Sequence, residues 1–122
     1  MKLQMISKLL IVGTLTMTCV AGTGRVTAAS EPRRIEITAK RFSFAPAEIT
    51  LKKGEPVVLV LHSEDVPHGL KISELKLDTE IAKGATSELS FTPNATGDFV
   101  GHCSRFCGSG HGSMTLTLHV TE

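Results

Sequence analysis

Pro56-Val57-Val58-Leu59-Val60-Leu61 is a continuous apolar run rich in β-branched side chains. Its length and composition favour a central β-strand over a helix. The segments around it carry the period-two alternation of half-buried strands. Ile35, Ile37 and Ala39 alternate with Glu36, Thr38 and Lys40. Leu89 and Phe91 share one face of the stretch from Thr86 to Phe91, and Leu116, Leu118 and Val120 share the inward face near the end of the chain. Shorter strands are expected over 48–51, 69–72 and 98–102, with turns at Lys52–Glu55 and Asn94–Gly97. Residues 73–83 leave a helical turn open. About seven short strands with turns between them predict an all-β sandwich. Phe42, Phe44, Phe91 and Phe99 are expected in its core.

The first residues follow a different rule. Lys2 and Lys8 precede an apolar, uncharged run from Leu9 to Gly22, and small residues follow through Val26-Thr27-Ala28-Ala29. This is the three-part pattern of a secretory signal peptide over residues 1–29, with cleavage expected after Ala28 or Ala29. An uncleaved anchor is the alternative, although the run falls short of the roughly 20 residues that span a bilayer comfortably. Lipidation at Cys19 is disfavoured by the preceding Thr16-Met17-Thr18. The expected domain is 30–122, in a periplasmic or secreted location.

Removing the leader changes the composition. Ten Lys and Arg remain against twelve Asp and Glu, a formal charge of −2. No basic patch interleaved with aromatics points to nucleic acid. The glycines match no nucleotide-binding fingerprint, and Ser104 and Ser113 lack the partnered acid pattern of a hydrolase. Cys19, Met1, Met5 and Met17 leave with the leader, so two cysteines and one methionine remain.

All three lie in Cys103-Ser104-Arg105-Phe106-Cys107-Gly108-Ser109-Gly110-His111-Gly112-Ser113-Met114. Thiolate, imidazole and thioether suit copper, and glycines at 108, 110 and 112 allow a tight loop. A one-copper electron-transfer site needs one Cys, two His and a weak Met. A second Cys means a disulfide or a second metal. Two thiolates bridging two coppers would need one His per copper, hence another His from elsewhere. A disulfide alone is the plain alternative in an oxidising compartment, and Cys₂His₂ zinc is another.

Ser63-Glu64-Asp65-Val66-Pro67-His68-Gly69 supplies a further His after the apolar strand. Together, the two segments resemble the copper-A domain of cytochrome c oxidase subunit II, which carries Ser-Glu-Asp-Val-x-His and then Cys-Ser-x-x-Cys-Gly-x-x-His-x-x-Met. The resemblance covers roughly residues 33–121. It implies a cupredoxin-like Greek-key β-sandwich with a binuclear copper centre that carries one electron. It implies His68 and Met114 on one copper, His111 and the backbone carbonyl of Arg105 on the other, and Cys103 and Cys107 bridging both. It implies a redox partner such as a c-type cytochrome or a terminal oxidase or reductase. The domain itself would do no substrate chemistry. A copper carrier without redox turnover is the alternative from another class.

The chain departs from that family in three ways. Arg105 stands where the family often has Glu, whose side chain helps to join subunit II to its catalytic partner. The two transmembrane helices usual in subunit II are absent. Trp and Tyr are both absent, so no such ring offers an electron entry port. Among other histidines, His119 is expected to face solvent, His102 to point away from Cys103, and His62 to lie at the surface or behind the site. Asp65 and Glu64 are expected to hold the His68 loop through backbone bonds, and Phe106 to shield the site.

Overall fold

The computed structural model describes residues 31–122, together with Gly22 and Gly24. Apart from those two glycines, the signal peptide expected over 1–29 lies outside the described residues. Nine strands follow in order: β1 (Arg33–Lys40), β2 (Ser43–Ala45), β3 (Glu48–Lys52), β4 (Val57–Ser63), β5 (His68–Ile72), β6 (Leu77–Ile81), β7 (Thr86–Phe91), β8 (Gly97–His102) and β9 (Thr115–Thr121). They form a four-stranded sheet in the order β2-β1-β4-β7 and a five-stranded sheet in the order β3-β9-β8-β5-β6. β1–β4 and β3–β9 pair parallel, and the other pairs are antiparallel. The expected β-sandwich is therefore present. Among the described residues, no helix is long and apolar enough to cross a membrane.

The apolar run forms β4, hydrogen-bonded on both edges, as its composition required. Val57, Leu59 and Leu61 face the second sheet, where Leu70, Ile72, Leu116 and Leu118 complete the core. Burying each such side chain contributes on the order of 1.5–3 kcal/mol. Val58 and Val60 point outward yet are also buried. Arg34 sits beside Val58 and Glu88 beside Val60 in register, and the two charged side chains pair diagonally over the valines. Their aliphatic stems cover apolar surface while the charged ends stay wet.

Two strands were not legible beforehand. β2 has three residues, too few to show a period. β6 lies in the ambiguous segment, after a 3₁₀ turn at Ser73–Leu75 that ends on Lys76 in the left-handed region (φ 55°). Of the phenylalanines expected inside, Phe44 is buried and Phe91 and Phe99 pack partly against the core. Phe42 is 36% exposed and lies instead against the cysteine loop.

The sheet change between β4 and β5 places His68 at the first position of β5. In that strand His68, Leu70 and Ile72 face inward and Lys71 outward. β8 and β9 are antiparallel neighbours, and residues 103–114 are the loop that joins them. The His102–Thr115 pair closes the ladder, and Cys103 N–H donates to the Met114 carbonyl at 3.1 Å, stitching the base of the loop.

On the outer face, His119 sits directly opposite Asp98, with Nδ1 2.6 Å from its Oδ1 and Nε2 3.8 Å from Glu48. The Asp98 hydrogen bond is the largest cause of a pKa raised above the ordinary histidine value of 6.5. A raised folded-state pKa stabilises the fold fully below the unfolded value and loses that contribution as pH climbs through the folded one. His119→Gln should therefore lower Tm at about pH 5.5, with the gap to the parent closing by about pH 8.5. Thermal melts at the two pH values check this, and an equal gap at both would remove the ionic contribution.

Candidate metal centre

The five candidate side chains and one carbonyl meet at one end of the sandwich. Cys103 Sγ lies 3.8 Å from Cys107 Sγ, 3.8 Å from His68 Nδ1 and 3.1 Å from the Arg105 carbonyl. Cys107 Sγ lies 3.8 Å from His111 Nδ1 and 3.9 Å from Met114 Sδ. The ligand atoms of His68, Cys103 and Cys107 all fall within 4.8 Å of one another. Both thiols are free and buried. Their separation is well beyond the roughly 2.05 Å of a disulfide bond.

Strand register explains how such distant residues converge. His68 continues the inward row of Leu70 and Ile72. Met114 continues the inward row of Leu116, Leu118 and Val120, and Cys103 is the next buried position after Gly101 on β8. His68 and Met114 are both 0% exposed. Arg105 sends its side chain outward to Glu80 at 3.0 Å while its carbonyl turns inward to Cys103. Within the loop, a 3₁₀ turn at His111–Ser113 aims the His111 ring.

His68 has a fixed tautomer. Its Nε2 lies 2.7 Å from Asp65 Oδ1. An ionised carboxylate only accepts, so the ring proton is on Nε2 and the Nδ1 lone pair faces Cys103. Asp65 also accepts from Val66 N–H and Arg41 N–H, each at 2.7 Å. Partial burial pushes the Asp65 carboxyl up, but the bonds from Arg41, His68 and Val66 together hold it well below the usual carboxylate range. Backbone bonding by Asp65 was expected from its place in the turn. Its contact with the ligand ring was not, although an Asp three residues before a candidate His is a signal for such support. The Cys107 thiol is pushed up to about 11, first by burial and then by its hydrogen bond and charge coupling with Cys103.

Phe106 does not shield the centre: its ring is 82% exposed and lies 5.7 Å from the His111 ring at 46°. The shielding ring on the other side is Phe42. A Cβ on Gly110 would come within 2.4 Å of it, and one on Gly108 within 2.9 Å, where φ of +137° also favours glycine. Gly112, by contrast, has open space around it. His102 is exposed on the face away from Cys103, and His62 lies at the surface 3.7 Å from Glu36. Neither joins the cluster. Arg41 does, with Nε donating to the Cys107 carbonyl at 2.8 Å, a contact across 66 residues that no local pattern announces.

The donor chemistry fits copper. Two thiols, two imidazole nitrogens, a thioether and a carbonyl combine soft and borderline ligands with weak ones. A closed Cys₂His₂ zinc site would use four of the six and leave Met114 Sδ and the carbonyl without a part.

Comparison with known proteins identifies the fold and the family. Cytochrome c oxidase subunit 2 from Thermus thermophilus is 28% identical over 88 residues, covering 72% of this chain. The chain spans 65% of that relative's length. The periplasmic domain of subunit II of cytochrome oxidase from Bradyrhizobium japonicum shares the fold, with TM-score 0.70 at 18% identity over 77% of this chain and 87% of that one. A chain of a heme-copper terminal oxidase dimer gives TM-score 0.66 at 25% identity, over 73% of this chain and 65% of its own length. The family model of the cupredoxin-like domain matches residues 9–116, most of the sequence, and the chain belongs to that family.

Proposed function

We propose that this chain is an exported one-electron carrier built on a binuclear copper centre. Cys103 and Cys107 would hold both coppers, with His68 and Met114 serving one and His111 and the Arg105 carbonyl the other. The observation that carries this reading is the pair of free, buried sulfurs 3.8 Å apart with one imidazole Nδ1 at 3.8 Å from each. Similarity to oxidase subunit II supports it independently. Bound there, two coppers sharing one unpaired electron supply redox chemistry with little reorganisation.

The chain's own residues hold that geometry. Asp65 orients His68, the β8–β9 ladder fixes Cys103 against Met114, and both cysteines are buried. A carrier that hands copper on needs donors that open to a competing ligand, and full burial of His68 and Met114 favours the redox role over that alternative. The domain carries electrons and leaves substrate chemistry to its partner. That partner is a c-type cytochrome or a terminal oxidase or reductase. Export by residues 1–29 places the chain in the periplasm or outside the cell, where the subunit II domain from Bradyrhizobium japonicum is also described.

Copper stoichiometry with EPR tests the reading. Two coppers per chain and one unpaired electron split equally by both nuclei are expected. One copper, or EPR-silent Cu(I) that a chelator strips easily, would sink the binuclear centre. Met114→Leu should keep both coppers at a packing cost of about 1 kcal/mol while shifting the midpoint potential, because a weak thioether donor would tune potential more than affinity. An unchanged potential would remove Met114 from the ligand set. In the metal-free chain, iodoacetamide should modify Cys107 slowly near neutral pH and faster as pH rises towards 11. Copper should block the reaction altogether. Rapid labelling at neutral pH, read by peptide mass spectrometry, would show an exposed thiolate instead.

A further inference from the structure

The β1–β2 turn contributes no candidate ligand, yet it touches both loops that do. Arg41 N–H donates to Asp65 Oδ2 at 2.7 Å, and Asp65 in turn holds the His68 ring. Just before the turn, the Ala39 carbonyl accepts from Glu64 N–H at 3.0 Å, which fastens the start of the same loop. The Arg41 side chain reaches the other way, with Nε 2.8 Å from the Cys107 carbonyl. Phe42 follows and fills the space that Gly108 and Gly110 leave open.

Charge adds a second effect. Arg105 is paired with Glu80, but among the described residues no carboxylate lies within ion-pair distance of the Arg41 guanidinium. Its contact with the Cys107 carbonyl sets that positive charge directly against the cysteine loop. A fixed cation beside the cysteine loop favours whichever redox state of a centre held there carries one more electron.

We propose that Arg41 is a positioning residue for the centre. Its main chain steadies His68 through Asp65, its guanidinium ties down the cysteine loop, and its unpaired charge biases the centre towards the reduced state. The bias rests on the redox reading above. The tethering does not.

The experiment compares the full chain with Arg41→Gln, Arg41→Lys and, as a control for losing one positive charge, Lys53→Gln. Lys53 lies at the far end of the sandwich, where it bonds Thr121. In copper-loaded protein, Arg41→Gln should lower the midpoint potential and change the copper hyperfine pattern. Arg41→Lys should keep most of the potential but lose copper faster to a chelator, since a flexible ammonium replaces a planar fork. Lys53→Gln should match the parent in every readout. An unchanged potential in Arg41→Gln overturns the electrostatic role. In metal-free protein, amide exchange across 104–113 should quicken in Arg41→Gln and stay at the parent rate in Lys53→Gln. Equal exchange in all chains overturns the tether, whether or not copper binds in pairs. A parent chain without the two-copper signal would count against the redox reading and its bias, leaving the exchange result to judge Arg41 as a tether.

Discussion

Strand register is the constraint on which the site depends. In a β-strand a shift of one residue sends every side chain to the opposite face. His68 opens the inward row of β5, and Cys103 and Met114 lie just beyond β8 and β9, where they continue the inward rows of those strands. The apolar residues behind them, Leu70, Ile72, Leu116 and Leu118, are fully buried and therefore fix the register strongly. A slip in β9 would expose those leucines and turn Met114 outward in the same move. The core and the centre are thus held by one set of contacts, and the ligand geometry inherits the rigidity of the sandwich.

The centre in turn imposes a cost on the fold. Burial makes the Cys107 thiol resist ionisation, pushing it up to about 11. In the metal-free chain Cys107 is a neutral, weakly polar group that a core tolerates. Metal binding must displace its proton, so affinity and pH are coupled. Asp65 works in the opposite sense. Three hydrogen bonds keep it ionised, and its charge pins the tautomer of a histidine that has no contact with water. One side of the site is held neutral until metal arrives, while the other is set in advance.

Much of this was legible in the amino-acid order. The alternation around Ile37 and Leu118 and the apolar run at Val57–Leu61 specified strands and their inward faces. The spacing of Cys103, Cys107, His111 and Met114 placed four donors in one loop, and Ser-Glu-Asp-Val-Pro-His marked where the fifth side chain would come from. The contacts that escaped notice join residues far apart in sequence. Arg41 meets Cys107 and Phe42 meets Gly110 because β1 and the β8–β9 loop end at the same edge. Phenylalanine in a strand-rich segment reads as core, and only the fold shows that Phe42 covers a loop while Phe106 stands free. β2 and β6 were obscured for a simpler reason: the first is too short for a period, and in the second Leu77 and Ile81 stand four apart, a spacing that fits a helical turn as well as a strand.

Arg105 shows how far the similarity to oxidase subunits extends. Its inward group is a carbonyl, which any residue supplies, so the cluster is indifferent to the side chain. Its outward group is the guanidinium on Glu80, part of the exposed surface beside Phe106 and Arg41. Selection on the centre and selection on the surface around it therefore act on different atoms of the same residue. A chain of this fold can keep its buried donors while changing the charge on its surface. The Arg105 guanidinium places a positive charge, paired with Glu80, at the rim of the loop, where Phe106 offers an exposed apolar ring. The buried donors therefore set what the loop can bind, while the rim sets the charge that any docking surface would have to complement.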